Sequence, residues 1–86
     1  MAQKMSEAEI RQVLVEIFSE VLGIKTESVT DDLSPDNCEN WDSLRHMQIC
    51  TAIDESFEIA LDMSTQVEIL TFDLAVETVK AELSNG

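Results

Sequence analysis

This chain has little positive charge. Five Lys and Arg stand against eighteen Asp and Glu, a net charge of −13 over 86 residues. A surface of that sign repels nucleic acid and anionic lipid. It suits cations or basic protein partners. No apolar run approaches the roughly 20 residues that a membrane-crossing helix needs, so no membrane span is expected. The N-terminal stretch MAQKMSEAEI lacks the apolar segment of a secretory signal, and the cytoplasm is the expected compartment. The two cysteines, Cys38 and Cys50, lack the C-x-x-C spacing of a redox or zinc site. Both are expected as free thiols, Cys50 acting as a small hydrophobe on a helical face. Pro35 is the only proline. No β-hairpin signal, internal repeat or low-complexity tract is present. The length fits one small domain over residues 1–86, too small to enclose a deep active site. With 44% hydrophobic residues, a folded chain is expected rather than a disordered one.

What is there is helical. Residues 1–5 read as a frayed tail. Ser6 and Glu9 then form an S-x-x-E capping box. Ile10, Val13, Leu14, Ile17, Phe18, Val21 and Leu22 follow at alternating steps of three and one, the stripe of an amphipathic helix. Gly23 can supply a left-handed stop. The first helix is predicted over 6–22. Residues 24–41 hold no period and form a long connection, with Ile24, Val29, Leu33 and Trp41 as expected anchors. A second helix is predicted over 42–57, started by Asp42 or Ser43, either of which can accept a bond from a first-turn N–H. Leu44, Met47, Ile49, Cys50, Ile53 and Phe57 give it a rather wide apolar face. A short helix is predicted over 65–70, capped by Ser64 or Thr65. A last helix over 72–83 carries Phe72, Ala75, Val76, Val79 and Leu83. The expected fold is all-α: three main helices and one short one around a single core.

Three chemical constellations can be tested on the residues alone. Ser43 and His46 stand at i, i+3 and can approach each other on a helix. A hydrolase also needs an oxyanion hole and a closed pocket, and the glycine-flanked elbow that exposes a nucleophilic serine is missing. From Asp32, a calcium-type loop offers Asp32, Ser34 and Asp36 at positions one, three and five. It has Asn37 where such loops need glycine and Ser43 where they need glutamate. His46 and Cys50, at i, i+4, are two ligands where a structural zinc site needs four; His46 is expected on the surface and Cys50 partly inside. No catalytic residue and no metal site is expected.

Ser43 itself has two readings. As a helix starter it can cap. As an exposed hydroxyl at the positive end of a helix dipole it can carry a group that ends in phosphate. Asp42 beside it would crowd such a group with negative charge, which makes sense if a partner reads that carboxylate.

The segment DSL, Asp42–Leu44, resembles the phosphopantetheine attachment motif of acyl carrier proteins. Around it, LG at Leu22–Gly23, AIDESFEIAL from Ala52 and ILTFDLAVETV from Ile69 are similar to that family's helix endings and short third helix. The resemblance runs from about Ile10 to Leu83. It implies an acyl-carrier-like four-helix bundle with a long loop between helices 1 and 2, and a carrier rather than an enzyme. Ser43 would hold a covalent 4′-phosphopantetheine, added by a phosphopantetheinyl transferase. Acyl-loading and acyl-processing enzymes with basic docking patches would be the partners of a monomeric chain. By the same resemblance Asp42, Leu44, Met47, Asp54 and Glu55 would serve partner recognition. Ile53, Leu61, Ile69 and Ala75 would line an acyl groove, whose depth Gln66, polar where the family often has a small apolar residue, would limit. Asn40–Trp41 before the motif, Arg45–His46 after it, and Gln48 depart from carriers of fatty acid synthesis. WDSL resembles carriers of specialised pathways: polyketide, nonribosomal peptide or surface-polysaccharide assembly. The alternatives are a housekeeping carrier of fatty acid biosynthesis, or an acidic interaction module in which Ser43 is only a helix cap.

Overall fold

The computed structural model describes residues 5–85, with the side chain of Asn85 left aside. It contains four α-helices and one 3-10 turn in the order α1 Glu7–Leu22, the turn Thr26–Ser28, α2 Ser43–Phe57, α3 Met63–Gln66 and α4 Phe72–Asn85. No strand occurs among the described residues. The all-α architecture of three long helices and one short helix is as the sequence predicts. Of the tail expected at 1–5, residues 1–4 lie outside the described residues, while Met5 packs half-buried against the core.

The predicted capping box starts α1: the Glu9 N–H donates to the Ser6 hydroxyl at 3.2 Å and the Ser6 N–H to the Glu9 carboxylate at 2.9 Å. Gly23 ends the helix at φ +68°, its N–H donating to the Ser19 carbonyl. That left-handed geometry has little steric cost only for glycine. At the end of α2 the same job falls to Glu58, at φ +55°, where a side chain makes the conformation unfavourable.

The core is one cluster drawn from all the long helices and the loop. Ile10, Leu14, Ile17, Phe18 and Leu22 come from α1, and Phe72, Ala75, Val76 and Val79 from α4. At its centre Phe18 meets Trp41 and Phe72 edge-on, with ring centroids 5.2 and 5.1 Å apart, a favoured aromatic arrangement. The long loop is ordered by this core: Val29, Leu33, Cys38 and Trp41 are buried. Its backbone also serves α4, because the Leu33 and Asp31 carbonyls accept the N–H groups of Phe72 and Asp73 at 2.9 and 3.1 Å. First-turn donors that would otherwise lack partners are thereby satisfied.

Two predicted details differ. The buried face of α2 is narrower than the apolar pattern suggested: Ile49, Cys50, Ile53 and Phe57 are inside, but Leu44 and Met47 are 62% and 64% exposed. Leu44 stands nine positions before Ile53, about two and a half turns, and so on the opposite side of the helix. The short helix was predicted over 65–70 with Ser64 or Thr65 as cap; it occupies Met63–Gln66 with Asp62 as cap. The Asp62 carboxylate accepts the Thr65 N–H and the Ser64 hydroxyl, both at 2.9 Å. A carboxylate with two donors outcompetes either hydroxyl for that position.

Candidate attachment site

The chain enters α2 through Asp42. Its carboxylate accepts the Arg45 N–H at 2.9 Å, so Asp42 is the N-cap and Ser43 the first helical residue. This corrects the reading of Ser43 as a helix cap. The Ser43 side chain is exposed, and no hydrogen bond engages its hydroxyl among the described residues. An ester formed there would displace no structural bond. It would project at the start of α2, where the helix dipole favours phosphate, beside the Asp42 carboxylate.

The residues flanking Ser43 are tied to distant parts of the fold. α1 has no basic residue in its last turn, which leaves its final carbonyls without a nearby cationic partner. Donors arrive from elsewhere: Asn40 Nδ2 reaches the Leu22 carbonyl at 2.8 Å, and Arg45 Nη1 the Val21 carbonyl at 3.0 Å. The Trp41 indole N–H donates to His46 Nδ1 at 2.9 Å. Indole nitrogen only donates, so Nδ1 is the unprotonated nitrogen and Nε2 carries the hydrogen. Nε2 faces the Gln66 carbonyl oxygen at 2.7 Å. His46 is therefore half-buried and bonded at both ring nitrogens, not a surface residue as its sequence position suggested. Neither nitrogen is available to take a proton from Ser43, which removes the base that a hydrolase reading requires.

A groove of about 500 Å³ opens beside Ser43. Asp42, Trp41 and His46 line it together with the apolar side chains of Met47, Met63, Val67 and Leu70. Met63, Val67 and Leu70 are 76%, 64% and 59% exposed, and none of the three was singled out from the sequence. Their signal was available in the apolar letters around α3, but without the helix boundaries those letters could equally belong to the core. An elongated, flexible group leaving Ser43 fits this open and largely apolar trough.

The residues expected to meet partners do not all share one surface. Leu44, Met47 and Glu55 line a second, shallow concavity of about 350 Å³ on the outer side of α2. Asp42 belongs to the groove. Asp54 is half-buried, and its carboxylate accepts the Leu61 N–H at 3.0 Å, so one of its oxygens supports the fold. The four residues expected around an acyl chain, Ile53, Leu61, Ile69 and Ala75, are 0–6% exposed. Of these, Ile69 alone also lines the groove. The other three are core. Gln66 holds the Leu61 carbonyl through its side-chain amide at 2.9 Å.

Burial, helped by the negative Asp54, pushes the Cys50 thiol up to about 11, so it is protonated and unreactive near neutral pH. Cys38 is also free and buried. Among the described residues no group of three or more His, Cys, Asp or Glu could hold a metal ion, and no helix is long and apolar enough to cross a membrane. In a comparison with known protein families, a model described as the phosphopantetheine attachment site matches residues 12–79, from within α1 to within α4.

Proposed function

The chain belongs to the phosphopantetheine attachment-site family, and from that premise we propose that Ser43 is the residue that receives the group. Membership makes the protein a carrier and not an enzyme, with a covalent 4′-phosphopantetheine as its prosthetic group. Such a carrier requires a phosphopantetheinyl transferase and partner enzymes. When bound, the group supplies a flexible arm whose terminal thiol holds acyl groups as thioesters.

The observation that carries the assignment is the division of labour at the start of α2. Asp42 caps the helix, which leaves the Ser43 hydroxyl exposed beside an apolar groove. The interaction-module reading accounts for Ser43 only as a cap, and with Asp42 in that position it leaves the exposed hydroxyl without a role. In loading, Ser43 Oγ attacks the β-phosphorus of coenzyme A. The Oγ–P bond forms, the P–O bond of the pyrophosphate breaks, and adenosine bisphosphate leaves. The hydroxyl proton passes to a base supplied by the transferase.

Leu44, Met47 and Glu55 then form a docking face along the outer side of α2, with Asp42 at its head and the outer oxygen of Asp54 adding charge for Arg and Lys on the partners. Such charges set encounter rate and register more than affinity, which suits a carrier that must leave each enzyme. The pathway we favour is specialised: polyketide, nonribosomal peptide or surface-polysaccharide assembly, served by a monomer in the cytoplasm. Asn40–Trp41, Arg45–His46 and Gln48 support this, being the positions where the chain departs from carriers of fatty acid synthesis.

The test is intact mass after incubation with coenzyme A and a broad-specificity phosphopantetheinyl transferase, with Ser43→Ala alongside. A gain of one phosphopantetheine in the wild type alone is expected. A gain in both would move the attachment to another residue. No gain in either folded protein would favour an interaction module.

A further inference from the structure

α3 buries none of its own side chains. Apolar packing holds its flanks, Leu61 and Ile69, which are 6% and 1% exposed, but not the helix itself. Among the described residues, the side-chain hydrogen bond that joins α3 to α2 runs from His46 Nε2 to the Gln66 carbonyl at 2.7 Å. Trp41 supports it from the other side. Its indole N–H holds His46 Nδ1 at 2.9 Å, and the two rings stack with centroids 5.9 Å apart. That contact selects the tautomer that presents Nε2–H to α3. Loop, α2 and α3 are thus joined in one line by Trp41, His46 and Gln66. All three line the groove beside Ser43, whereas Ile53, Leu61 and Ala75 lie in the packed core and do not. The line of hydrogen bonds therefore stands at the boundary between groove and core.

We propose that Trp41 and His46 are positioning residues that latch α3 shut and so set the shortest acyl chain able to pass from the groove into the core. The inference rests on Ser43 as the attachment point. Breaking one hydrogen bond of ordinary net strength changes an open–closed equilibrium about fivefold. Burying one methylene returns about fourfold. The two nearly cancel, so each latch bond raises the required length by about one methylene. Parting a filled core adds a further cost. Short acyl groups cannot meet the sum and stay in the groove, exposed to partner enzymes and to solvent. Longer ones enter only beyond the threshold.

The experiment loads the arm with straight-chain acyl groups from acetyl to decanoyl, checks loading by mass, and follows cleavage by hydroxylamine. In that reaction nitrogen bonds to the thioester carbonyl as the C–S bond breaks and the thiol takes up the proton. In His46→Ala, protection should begin at chains about one to two methylenes shorter than in the wild type. Trp41→Phe, which keeps an aromatic ring in the core and removes the indole donor together with part of the ring, should move the threshold the same way by less. It also serves if His46→Ala does not fold. In the protein without an arm, the amides of Gln66 and Val67, which close the α3 turn on the Asp62 and Met63 carbonyls, should exchange about fivefold faster in His46→Ala, while α1 amides hold. An unchanged threshold in a variant whose α3 has loosened overturns the latch, as does α3 exchange that does not change. A chain that takes no arm at Ser43 sinks the attachment reading, and this inference with it. A chain that loads and keeps its threshold sinks this inference alone.

Discussion

On the α1–α4 side of the molecule, Arg11 and Lys80 gather Glu7, Asp31, Asp73 and Glu77 into a string of exposed ion pairs with N–O distances of 2.7–3.6 Å. On the α2–α3 side no ion pair occurs among the described residues. There the ties run from side chains to backbone carbonyls, from Asn40, Arg45, His46 and Gln66, and Leu44, Met47, Met63, Val67 and Leu70 are left exposed. The two sides differ in what still needs a partner. The first has answered its few cations with its own carboxylates and faces water. The second directs its long-range hydrogen bonds to backbone carbonyls and shows apolar surface, which gains from being covered. The carboxylates on that side, Asp42, Glu55, Glu58, Asp62 and Glu68 included, are exposed and unmatched by cations among the described residues, so the apolar residues stand among negative charge rather than apart from it.

The largest expected effect erases the comparison altogether. Phe18→Ala removes the ring that contacts both Trp41 and Phe72, and such core truncations cost roughly 3–5 kcal/mol. In a domain this small, urea denaturation should show both sides lost together. If the α2–α3 side alone loosened, the two would not share one core.

Next comes a change confined to the apolar side. Met47 is 64% exposed, so Met47→Glu should alter stability by less than about 0.5 kcal/mol. It should slow transfer by partner enzymes about 30-fold if Met47 is an interface anchor worth about 2 kcal/mol. Arg11→Met, on the opposite side, should leave transfer rates unchanged. Equal effects of the two would mean that the exposed apolar residues are not the docking face.

Smaller still is the contrast between neighbours at the attachment point. Asp42→Ala should cost about 1 kcal/mol in thermal or chemical unfolding, as an N-cap loss does. Ser43→Ala should cost close to nothing while abolishing attachment. The reverse order of stabilities would restore Ser43 as the cap.

The smallest effect separates the two kinds of contact. The Lys80 hydrogen bond, with Arg11 helping, lowers the Glu7 carboxyl from its ordinary range. Backbone and side-chain bonds from Thr65, then Ser64, lower that of Asp62. Both pKa values are depressed in the folded state. Their contributions are therefore present above the ordinary carboxylate pKa and are lost as pH falls through the folded one. High salt should screen the Glu7 contribution and spare that of Asp62, which rests on hydrogen bonds within one turn. Acid titration of Glu7→Gln and Asp62→Asn at low and high salt, read by melting temperature, checks this. Equal salt sensitivity of the two would count against it.

Much of this was legible in the residues. The α1 stripe, the capping box, the Gly23 stop and the core face of α4 lie where local period and chemistry put them, because each depends on neighbours within about one turn. The candidate attachment residue could be picked out as a serine at a helix start. The limits of α3 could not, since Asp62, Ser64 and Thr65 are all capping types within four positions. Nor could the roles of Arg45 and His46, which in sequence only make the start of α2 less acidic.

By itself, then, the sequence determined the order of the long helices, the acidic surface and the serine at the head of α2. The tertiary structure decided which neighbour caps that helix, which apolar residues stay outside, and how the groove is walled. The physical reason is reach. The bonds from Asn40 to Leu22, from Arg45 to Val21 and from His46 to Gln66 join residues 18, 24 and 20 positions apart. Helical periodicity carries no information over such separations, and packing around Phe18, Trp41 and Phe72 brings those partners together.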